Sequence, residues 1–239
     1  MVTRRSFLTY TGGTALTLYA YNKLGIKEAL AQIPGGTLDP LSVPKFVTPL
    51  LIPPVMPKAG VIKMKGGKIA DYYEISMKQF PQQILPAQAG GNPMPATTVW
   101  GYGAVASASK RGLLLHNAPS LTIEADAGRP VVVKWINDLK DAATGNYLPH
   151  LLPVDPTLHW ANPPGGLAGR DTRPTFASTP GPYTGPVPIV THVHGAVGVG
   201  DESDGYAEAW YLPAANNIPS GYATKGTWYD FFATKASAT

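Results

Sequence analysis

The sequence predicts an all-β protein, a β-sandwich whose short strands are joined by long loops. Its 239 residues include 25 prolines and 26 glycines, which is above ordinary usage but below the level that indicates disorder. These residues fall between short runs rich in β-branched and aromatic side chains, as they do in all-β sandwiches. Helical periodicity is nearly absent beyond the N-terminal segment. We therefore expect the regular structure to be mostly strand.

Five segments carry the pattern of apolar and polar residues that is typical of strands. They are Lys68–Phe80, Thr97–Tyr102, Ser120–Ala125, Arg129–Asn137 and Val187–His194. Within the fourth, the continuous run Val131–Val133 predicts burial on both faces of the sheet. A short helix is expected over Tyr206–Tyr211 or Tyr222–Ala236.

Two stretches are expected to lack regular structure. Residues 32–60 are punctuated by prolines, which cannot donate hydrogen bonds to a β-ladder, so they predict an extended strap over the domain surface. Residues 138–186 form a long insertion rich in glycine and proline. A structureless loop of that length is usually functional or mobile, which makes the insertion a second region of interest.

The N-terminus has the features of an export signal. Thr3-Arg-Arg-Ser-Phe-Leu8 is followed by an uncharged, moderately apolar run to about Tyr21 and by the small-x-small pattern Ala29-Leu-Ala31. The run is shorter than the ~20 residues that a bilayer requires, so residues 1–31 predict a secretory signal and not a spanning helix. The paired arginines favour the twin-arginine route and a periplasmic or extracellular location.

Composition excludes several classes of function. The formal net charge is +4, but basic and acidic residues nearly balance once residues 1–31 are set aside. The sequence has no basic patch interleaved with aromatic residues, so nucleic-acid binding is not expected. No later stretch approaches 18 apolar residues, so no membrane span is expected. The chain has no cysteine, which excludes disulfides.

The most informative segment runs from Thr191 to Trp210. His192 and His194 are two residues apart, and such residues point to the same face of an extended strand, roughly 7 Å apart. Imidazole is a natural ligand for copper, zinc and iron, so two neighbouring imidazoles can serve two neighbouring metal ions. Ten residues after the second histidine comes Asp204, within Ser203-Asp-Gly-Tyr206.

This segment resembles the first copper-ligand motif of the multicopper oxidases. In the bacterial branch of laccases and bilirubin-oxidase-like enzymes, His-X-His-Gly leads into Ser-Asp-Gly-Tyr-x-Glu-Ala-Trp. Other stretches are similar to the same branch and extend the resemblance to about residues 38–232: Leu38–Val47, Pro53–Pro57, Tyr72–Met77, Thr98–Tyr102 and Pro119–Asn137. The resemblance implies that residues 61–239 form the first cupredoxin-type domain, a Greek-key β-sandwich.

The resemblance also implies a role for each site residue. His192 would bind the type 2 copper and His194 one of the paired type 3 coppers. Their cluster would reduce dioxygen to water with electrons from a phenolic, bilirubin-like or metal substrate. Asp204 would relay the protons that this reduction consumes, although Asp-Gly is also a common turn dipeptide. Gly195 would let the backbone pass close to the cluster.

Other polar residues of the segment are expected to have no direct part in the chemistry. Glu208 predicts a helix-start acid and Trp210 a packing aromatic, while Asp201 and Glu202 are expected to be solvated. The remaining histidines match no ligand spacing; they are His116, His150 and His159.

The sequence departs from the family pattern in what it contains. Members carry four His-rich motifs, and the last of these includes a cysteine that binds the electron-accepting copper. This sequence has one His-X-His and no cysteine. We therefore expect the N-terminal portion of an oxidase, incomplete at its C-terminal edge and inactive alone. The remaining cupredoxin domains of the same protein would complete its copper sites.

Two other interpretations remain open. One is a mononuclear zinc or iron enzyme that uses His192, His194 and Asp204, because two histidines and one carboxylate form a known metal-site pattern. The other is an exported, non-catalytic β-sandwich that binds copper through the histidine pair or makes no use of it. A third ligand at suitable distance would favour the first. A reading frame that continues into further His-X-His and His-Cys-His motifs would eliminate both.

Overall fold

The computed structural model confirms the all-β prediction. It describes residues 38–87, 91–105, 116–156, 159–161, 181–195, 197–215, 217–218 and 220–238. The predicted export signal, the start of the strap and the centre of the 138–186 insertion lie outside these residues. Within them, five strands form one mostly antiparallel sheet, accompanied by one α-helix and several 3₁₀ turns.

The sheet is organised around one long strand. The strands are β1 (Gly60–Lys63), β2 (Ile69–Gln82), β3 (Thr97–Ala104), β4 (His116–Asn117) and β5 (Val131–Asn137). β2 pairs antiparallel with β1 through residues 69–72 and antiparallel with β3 through residues 75–82. β5 runs parallel to residues 71–77 of β2, and β4 pairs with β3. β2 therefore connects nearly the whole sheet.

Three predicted strands are confirmed to within two residues, and they are β2, β3 and β5. The prediction that Val131–Val133 is buried on both faces is wrong, because all three side chains are only partly buried. β5 pairs with β2 alone among the described strands, so it lies at a sheet edge. A continuous β-branched run is compatible with that position because branched side chains suit any pleated, half-buried surface.

The predicted strand Ser120–Ala125 is wrong. Only Thr122 pairs, in an isolated bridge with Val55. The Thr122 N–H donates to the Pro54 carbonyl at 2.9 Å, and the Met56 N–H donates to the Thr122 carbonyl at 2.7 Å. The partner segment begins with Pro53 and Pro54, which have no N–H to donate, so the ladder cannot extend toward these two residues.

The predicted strand Val187–His194 is also wrong as a regular strand. It forms a single bridge, in which Ile189 and Tyr211 exchange two backbone hydrogen bonds of 3.2 Å. Pro186 and Pro188 flank its start and remove two of the donors that a ladder would need. Among the described residues, the segment that carries the histidine pair is therefore paired with another backbone segment at Ile189 alone, and the Asn137 side-chain amide also donates to its Val187 carbonyl at 3.3 Å.

Helical structure near the C-terminal end of the described region is shorter than expected. The helix α1 spans Tyr229–Ala238, and residues 207–209 form one 3₁₀ turn. α1 begins beside an ion pair in which Lys225 Nζ lies 2.6 Å from an Asp230 carboxylate oxygen. Within the residues described by the structure, no helix is long and apolar enough to cross a membrane.

Two apolar clusters form the core of the described region. The first joins the strap to the sheet and contains Met56, Tyr73, Ile75, Ala104 and Leu121. Full burial of an aliphatic side chain such as Met56 or Ile75 contributes about 1.5–3 kcal/mol, so this cluster holds Met56 firmly against the sheet. The second is built from loops and contains Ala161, Tyr183, Trp210, Leu212 and Ala223. Because Val190 packs against it, the second cluster supports the segment that leads to the histidine pair.

A buried carboxylate connects the strap, β2 and the turn before β5. Asp71 is 1% exposed, and its two oxygens lie 2.6 Å from Lys58 Nζ and 2.6 Å from Arg129 Nη2. The hydrogen bond from Lys58, together with the nearby Arg129 charge, lowers the pKa of Asp71 below its usual value. This charged group is thus neutralised by two cations from different segments.

Residues 38–42 belong to a different compact unit of the chain from residues 43–239. Pro40–Ser42 is a 3₁₀ turn, which Asp39 organises through its side chain and its carbonyl. The Leu41 N–H donates to Asp39 Oδ1 at 2.9 Å, and the Ser42 hydroxyl donates to the Asp39 carbonyl at 2.7 Å. This local pattern is the usual way in which aspartate starts a turn.

Candidate metal centre

The structure brings His192 and His194 together as the sequence predicts. Their rings are stacked, with centroids 4.6 Å apart and planes inclined by 23°. His192 is partly buried and His194 is exposed, while Val193 between them is 56% exposed. The backbone therefore places both imidazoles on one side even though no regular strand forms here.

The histidine pair lines a shallow cleft of about 300 Å³. Met77 and Tyr102 line the same cleft, and these residues face each other across the β2–β3 register. The remaining wall is the 189–191 backbone segment that leads to the histidines. The sheet and the histidine segment thus create a concave surface with the two imidazoles at its margin.

The hydrogen bond of His192 indicates which of its two ring nitrogens carries a proton. Its Nδ1 lies 3.2 Å from the carbonyl oxygen of Val190. A carbonyl can only accept, so Nδ1 must carry the proton, and Nε2 keeps its lone pair. Metal-ligating histidines commonly donate their other N–H to a carbonyl or carboxylate in this way. The His192 ring is therefore prepared to bind a metal ion through Nε2.

Two glycines shape the surroundings of the pair. Gly205 has a φ of +74°, and a Cβ built on it would overlap the His192 ring. The Asp204–Gly205 turn is therefore packed directly against this imidazole. Gly195 has a φ of +72°, which favours glycine, but a Cβ there would meet nothing within 4 Å. The need for glycine at position 195 arises from backbone conformation in the described structure.

Asp204 lies close to the pair along the chain, but its side chain is exposed. It follows the 3₁₀ turn Asp201–Ser203 and precedes the glycine that contacts His192. Within the described parts of the chain, no three His, Cys, Asp or Glu side chains are grouped so that they could hold a metal ion. The three-ligand site required by a mononuclear zinc or iron enzyme is thus not assembled by the described residues.

The neighbouring polar residues have structural partners. Glu208 does not begin a long helix; its Oε2 accepts a 2.9 Å hydrogen bond from the Thr227 hydroxyl. Trp210 is 1% exposed and belongs to the second core cluster. Asp201 is exposed, as expected, but it also forms an ion pair with Lys235. These contacts fasten the 201–210 segment to the residues around α1.

A second histidine pair was not foreseen from the sequence. His150 and His159 are nine residues apart, yet their Nε2 atoms lie 2.8 Å from each other. His159 is 6% exposed and stacks on Tyr183, with ring centroids 3.8 Å apart. Burial and the neighbouring His150 lower the pKa of His159 to about 4. No periodic spacing signals this contact, because it depends on a fold of the irregular 138–186 insertion.

The third unassigned histidine has a structural environment. His116 Nε2 lies 2.8 Å from the Ser76 hydroxyl, and its ring meets Phe80 edge to face. Burial and the charge of Lys78 lower its pKa below the usual value. This histidine connects β4 to β2 and lies outside the cleft lined by the first pair.

Comparison with known proteins identifies the family. No family model matches the chain. A laccase from Haloferax volcanii is 36% identical over 178 residues, which cover 73% of this chain and 23% of that protein. A laccase from Bacillus subtilis is 30% identical over 171 residues, which cover 72% of this chain and 24% of that protein. A rice (Oryza sativa subsp. japonica) protein named multicopper oxidase LPR1 homolog 5 is 34% identical over 118 residues.

The chain spans about a quarter of the length of the laccases that it matches. Over that part, sequence similarity and the all-β structure agree with the cupredoxin type of sandwich. The His-X-His-Gly segment, the stacked imidazoles and these relatives together place the chain in the multicopper oxidase family, as a match to part of its members' length.

Proposed function

We propose that His192 and His194 are two ligands of the oxygen-reducing copper centre in a laccase-like oxidase. The observation that carries this proposal is the stacked pair itself, in which His192 Nδ1 donates to the Val190 carbonyl and leaves Nε2 available to bind a metal. The similarity to curated laccases supports it independently. The whole protein would oxidise a small substrate in one-electron steps and reduce dioxygen to water.

Within this centre, His192 would bind the type 2 copper and His194 one of the type 3 coppers. Copper, when bound, would supply the one-electron redox chemistry. The chain's contribution is to place two imidazoles side by side and to restrain the His192 ring. The His192 ring is oriented by the hydrogen bond from its Nδ1 to the Val190 carbonyl, and the nearby backbone of Gly205 limits movement of the ring. Such outer contacts orient ligands and raise their basicity.

Asp204 would exchange protons with solvent during oxygen reduction. Its carboxylate is exposed, and it precedes the glycine that packs against His192. Reduction of dioxygen to water consumes protons, so a solvent-accessible carboxylate beside the centre can deliver them. This role requires only that the turn remains next to the imidazole ring.

The reducing substrate, the other copper ligands and the location of the protein belong to the same proposal. The substrate would be phenolic, bilirubin-like or a metal ion. Further ligands would come from the remaining cupredoxin domains of the same protein. Export by the twin-arginine route would deliver a folded, copper-loaded protein to the periplasm or beyond, consistent with the paired arginines near the N-terminus.

The 239-residue chain by itself would bind copper without oxidase activity. Its described residues offer two imidazoles and no third grouped ligand. Firm copper or zinc sites use three or four protein ligands, so binding by two should be weak. Weak binding without catalysis is also what a non-catalytic copper-binding sandwich would show, so activity must be tested in the protein that contains the remaining motifs.

The decisive experiment measures oxygen uptake with a phenolic dye by the copper-loaded protein that carries this chain and the remaining His-rich motifs. His192→Ala and His194→Ala should each lower the rate by at least about 100-fold, since each removes a ligand. His116→Gln, which alters a histidine outside the cleft, should leave the rate nearly unchanged. Unchanged uptake in both alanine variants, or dye oxidation by the 239-residue chain with copper, would contradict the proposal.

A further inference from the structure

The second histidine pair lies in a different environment from the first. His150 and His159 line a cleft of about 410 Å³ together with Val154, Asp155, Trp160 and Pro188. The Trp160 ring lies parallel to buried Trp210, which fixes one wall of this cleft. The pair thus lies in the wall of an open cleft, with the His159 side chain buried.

The hydrogen bonds determine which nitrogen of each ring carries a proton. The backbone N–H of Ala161 donates to His159 Nδ1 at 3.1 Å. His159 Nδ1 must therefore be unprotonated, and a neutral ring then carries its proton on Nε2. That proton is donated to His150 Nε2, which lies 2.8 Å away. His150 in turn must carry its own proton on Nδ1.

This arrangement is opposite to that of His192. The Nδ1 of His192 faces a carbonyl, which leaves Nε2 free for a metal ion. The Nδ1 of His159 faces an amide N–H, which commits Nε2 to a proton. A metal ion at His159 Nε2 would therefore have to displace that proton. If the proton moved to Nδ1, the buried amide of Ala161 would lose its acceptor, and if it left the ring, His159 would become a negatively charged imidazolate.

We propose that the His150–His159 pair is an acid-sensitive latch: while both rings are neutral, their hydrogen bond holds the two imidazoles together in the wall of this cleft. A proton added to His150 Nε2 would face the N–H of His159. A proton added to His159 Nδ1 would face the N–H of Ala161. Either addition replaces an acceptor by a donor, so the contact between two donors breaks and the rings separate. No further reactant is needed, and the change reverses when the proton leaves.

The surroundings of the pair agree with this behaviour. Burial lowers the pKa of His150, and burial with the adjacent His150 lowers the pKa of His159 to about 4. Both rings are therefore neutral near pH 7 and gain protons as pH falls below the usual histidine range. Among the described residues, the other titratable groups near the pair are Tyr183, which stacks on His159, Tyr222, which stacks on Tyr183, and Asp155, which lines the cleft.

Opening the latch would loosen the segment that leads to the first histidine pair. The Tyr183 ring packs on His159, and its hydroxyl donates to the Pro186 carbonyl at 2.7 Å. Pro188 also lines the cleft beside His150. Separation of the two imidazoles therefore removes support from residues that lie four to six positions before His192. The latch itself does not depend on copper, so it can be tested in the metal-free chain.

The Ala161 amide provides a local probe, because its hydrogen bond ends on His159 Nδ1. Its hydrogen exchange should be measured by NMR in the metal-free chain between about pH 7 and pH 4 and divided by the rate for an unstructured peptide. The protection factor should fall by at least about tenfold over this range. Constant protection would overturn the proposal.

A variant separates the latch from general acid effects. His159→Asn replaces Nδ1 with an amide oxygen, which accepts from Ala161 but cannot gain a proton in this range. Its Ala161 protection should stay nearly constant with pH. His116→Gln removes a titrating histidine elsewhere and should retain the acid response of the unaltered chain. An equal fall of protection in His159→Asn and in the unaltered chain would overturn the proposal.

Imidazole nitrogen spectra of the unaltered chain give a test that needs no variant. Near pH 7, His159 should show the Nε2–H tautomer and His150 the Nδ1–H tautomer, since the hydrogen bonds require this pattern. The opposite tautomer of His159, or a charged ring on either residue at this pH, would overturn the proposal.

Discussion

The backbone of Gly205 lies against the imidazole ring of His192, so closely that a Cβ at position 205 would overlap Nδ1 and Cγ of the ring. The same Nδ1 donates to the Val190 carbonyl. Movement of the ring is thus limited by Gly205, thirteen residues later in the sequence, and by the hydrogen bond to Val190, two residues earlier. This relationship makes the Asp204–Gly205 turn a structural part of the candidate metal centre.

Gly205→Ala should therefore weaken copper binding as well as the fold. The positive φ of +74° alone should make alanine cost about 1 kcal/mol of folding free energy. The overlap with His192 should in addition move the ring, and we expect Cu(II) affinity to fall by about tenfold. Chemical denaturation and copper titration measure the two effects separately.

Gly128→Ala is the matched control for this substitution. Gly128 has a similar φ of +78°, but a Cβ there would meet nothing within 4 Å. It should lose a similar amount of stability from backbone strain and keep the copper affinity of the unaltered chain. If both variants bound copper equally well, the contact between Gly205 and His192 would have no influence on the ligand.

Asp71→Asn should lower the stability of the fold without changing the histidine pair. The substitution leaves the Lys58 and Arg129 charges without their shared carboxylate, which is 1% exposed. Loss of one partner from such a site destabilises because the remaining charges keep their desolvation cost. The midpoint of urea unfolding should fall clearly, whereas Lys134→Met, at a more exposed pair, should change stability by only about 0.5 kcal/mol.

Acid should act on the same carboxylate. Because the pKa of Asp71 is lowered in the folded chain, its contribution to stability is complete above the usual aspartate pKa. That contribution is lost as pH falls through the lowered value. In the Asp71→Asn variant this part of the acid dependence should be missing, and an unaltered acid profile would contradict the buried ion pairs.

Tyr183→Phe should destabilise the segment before the histidine pair. It removes the hydroxyl that donates to the Pro186 carbonyl, and the side chain is 6% exposed. A buried carbonyl that loses its donor costs about 1–3 kcal/mol. Tyr222→Phe offers a control, since the Tyr222 hydroxyl makes no hydrogen bond within the described residues, and it should cost less than about 0.5 kcal/mol.

Global stability should also fall in mild acid because of His159. Its pKa is lowered to about 4 in the folded chain, compared with about 6.5 when unfolded. The unfolded state therefore binds the proton first, so stability is complete above pH ~6.5 and declines toward pH ~4. The decline from this residue should reach at most about 3 kcal/mol. Denaturation curves for His159→Asn should show a shallower decline, and identical slopes would contradict the assignment.

The regular strands could be predicted because their residues follow patterns that are typical of strands. β2 and β3 are predicted from the alternation of their side chains and β5 includes the continuous run Val131–Val133, and all three form within two residues of their expected bounds. The two predicted strands that do not form both lie next to prolines. Thr122 meets a partner segment that contains Pro53 and Pro54, and the histidine segment begins with Pro186 and Pro188, so each forms one bridge instead of a ladder.

The candidate site was predictable only in part. The two-residue spacing of His192 and His194 indicates adjacent imidazoles in any extended backbone, and this holds without a strand. The contacts of His192 with Val190 and Gly205 depend on turns whose geometry has no periodic signature. The same is true of His150 and His159, because the contact arises from tertiary folding of the irregular insertion.

Copper titration of the 239-residue chain tests the role of the first histidine pair most directly. Isothermal calorimetry near pH 7 should compare the unaltered chain with the His192→Ala/His194→Ala double variant. A His116→Gln variant controls for the loss of a histidine that lies outside the cleft. Each protein should first be shown to be folded by its circular dichroism spectrum.

The unaltered chain and the control variant should bind Cu(II) weakly and with equal affinity, because two imidazoles provide fewer ligands than a firm site requires. The His192→Ala/His194→Ala variant should show no binding at the same concentrations. Equal binding by this variant and the unaltered chain would contradict the assignment of His192 and His194 as copper ligands.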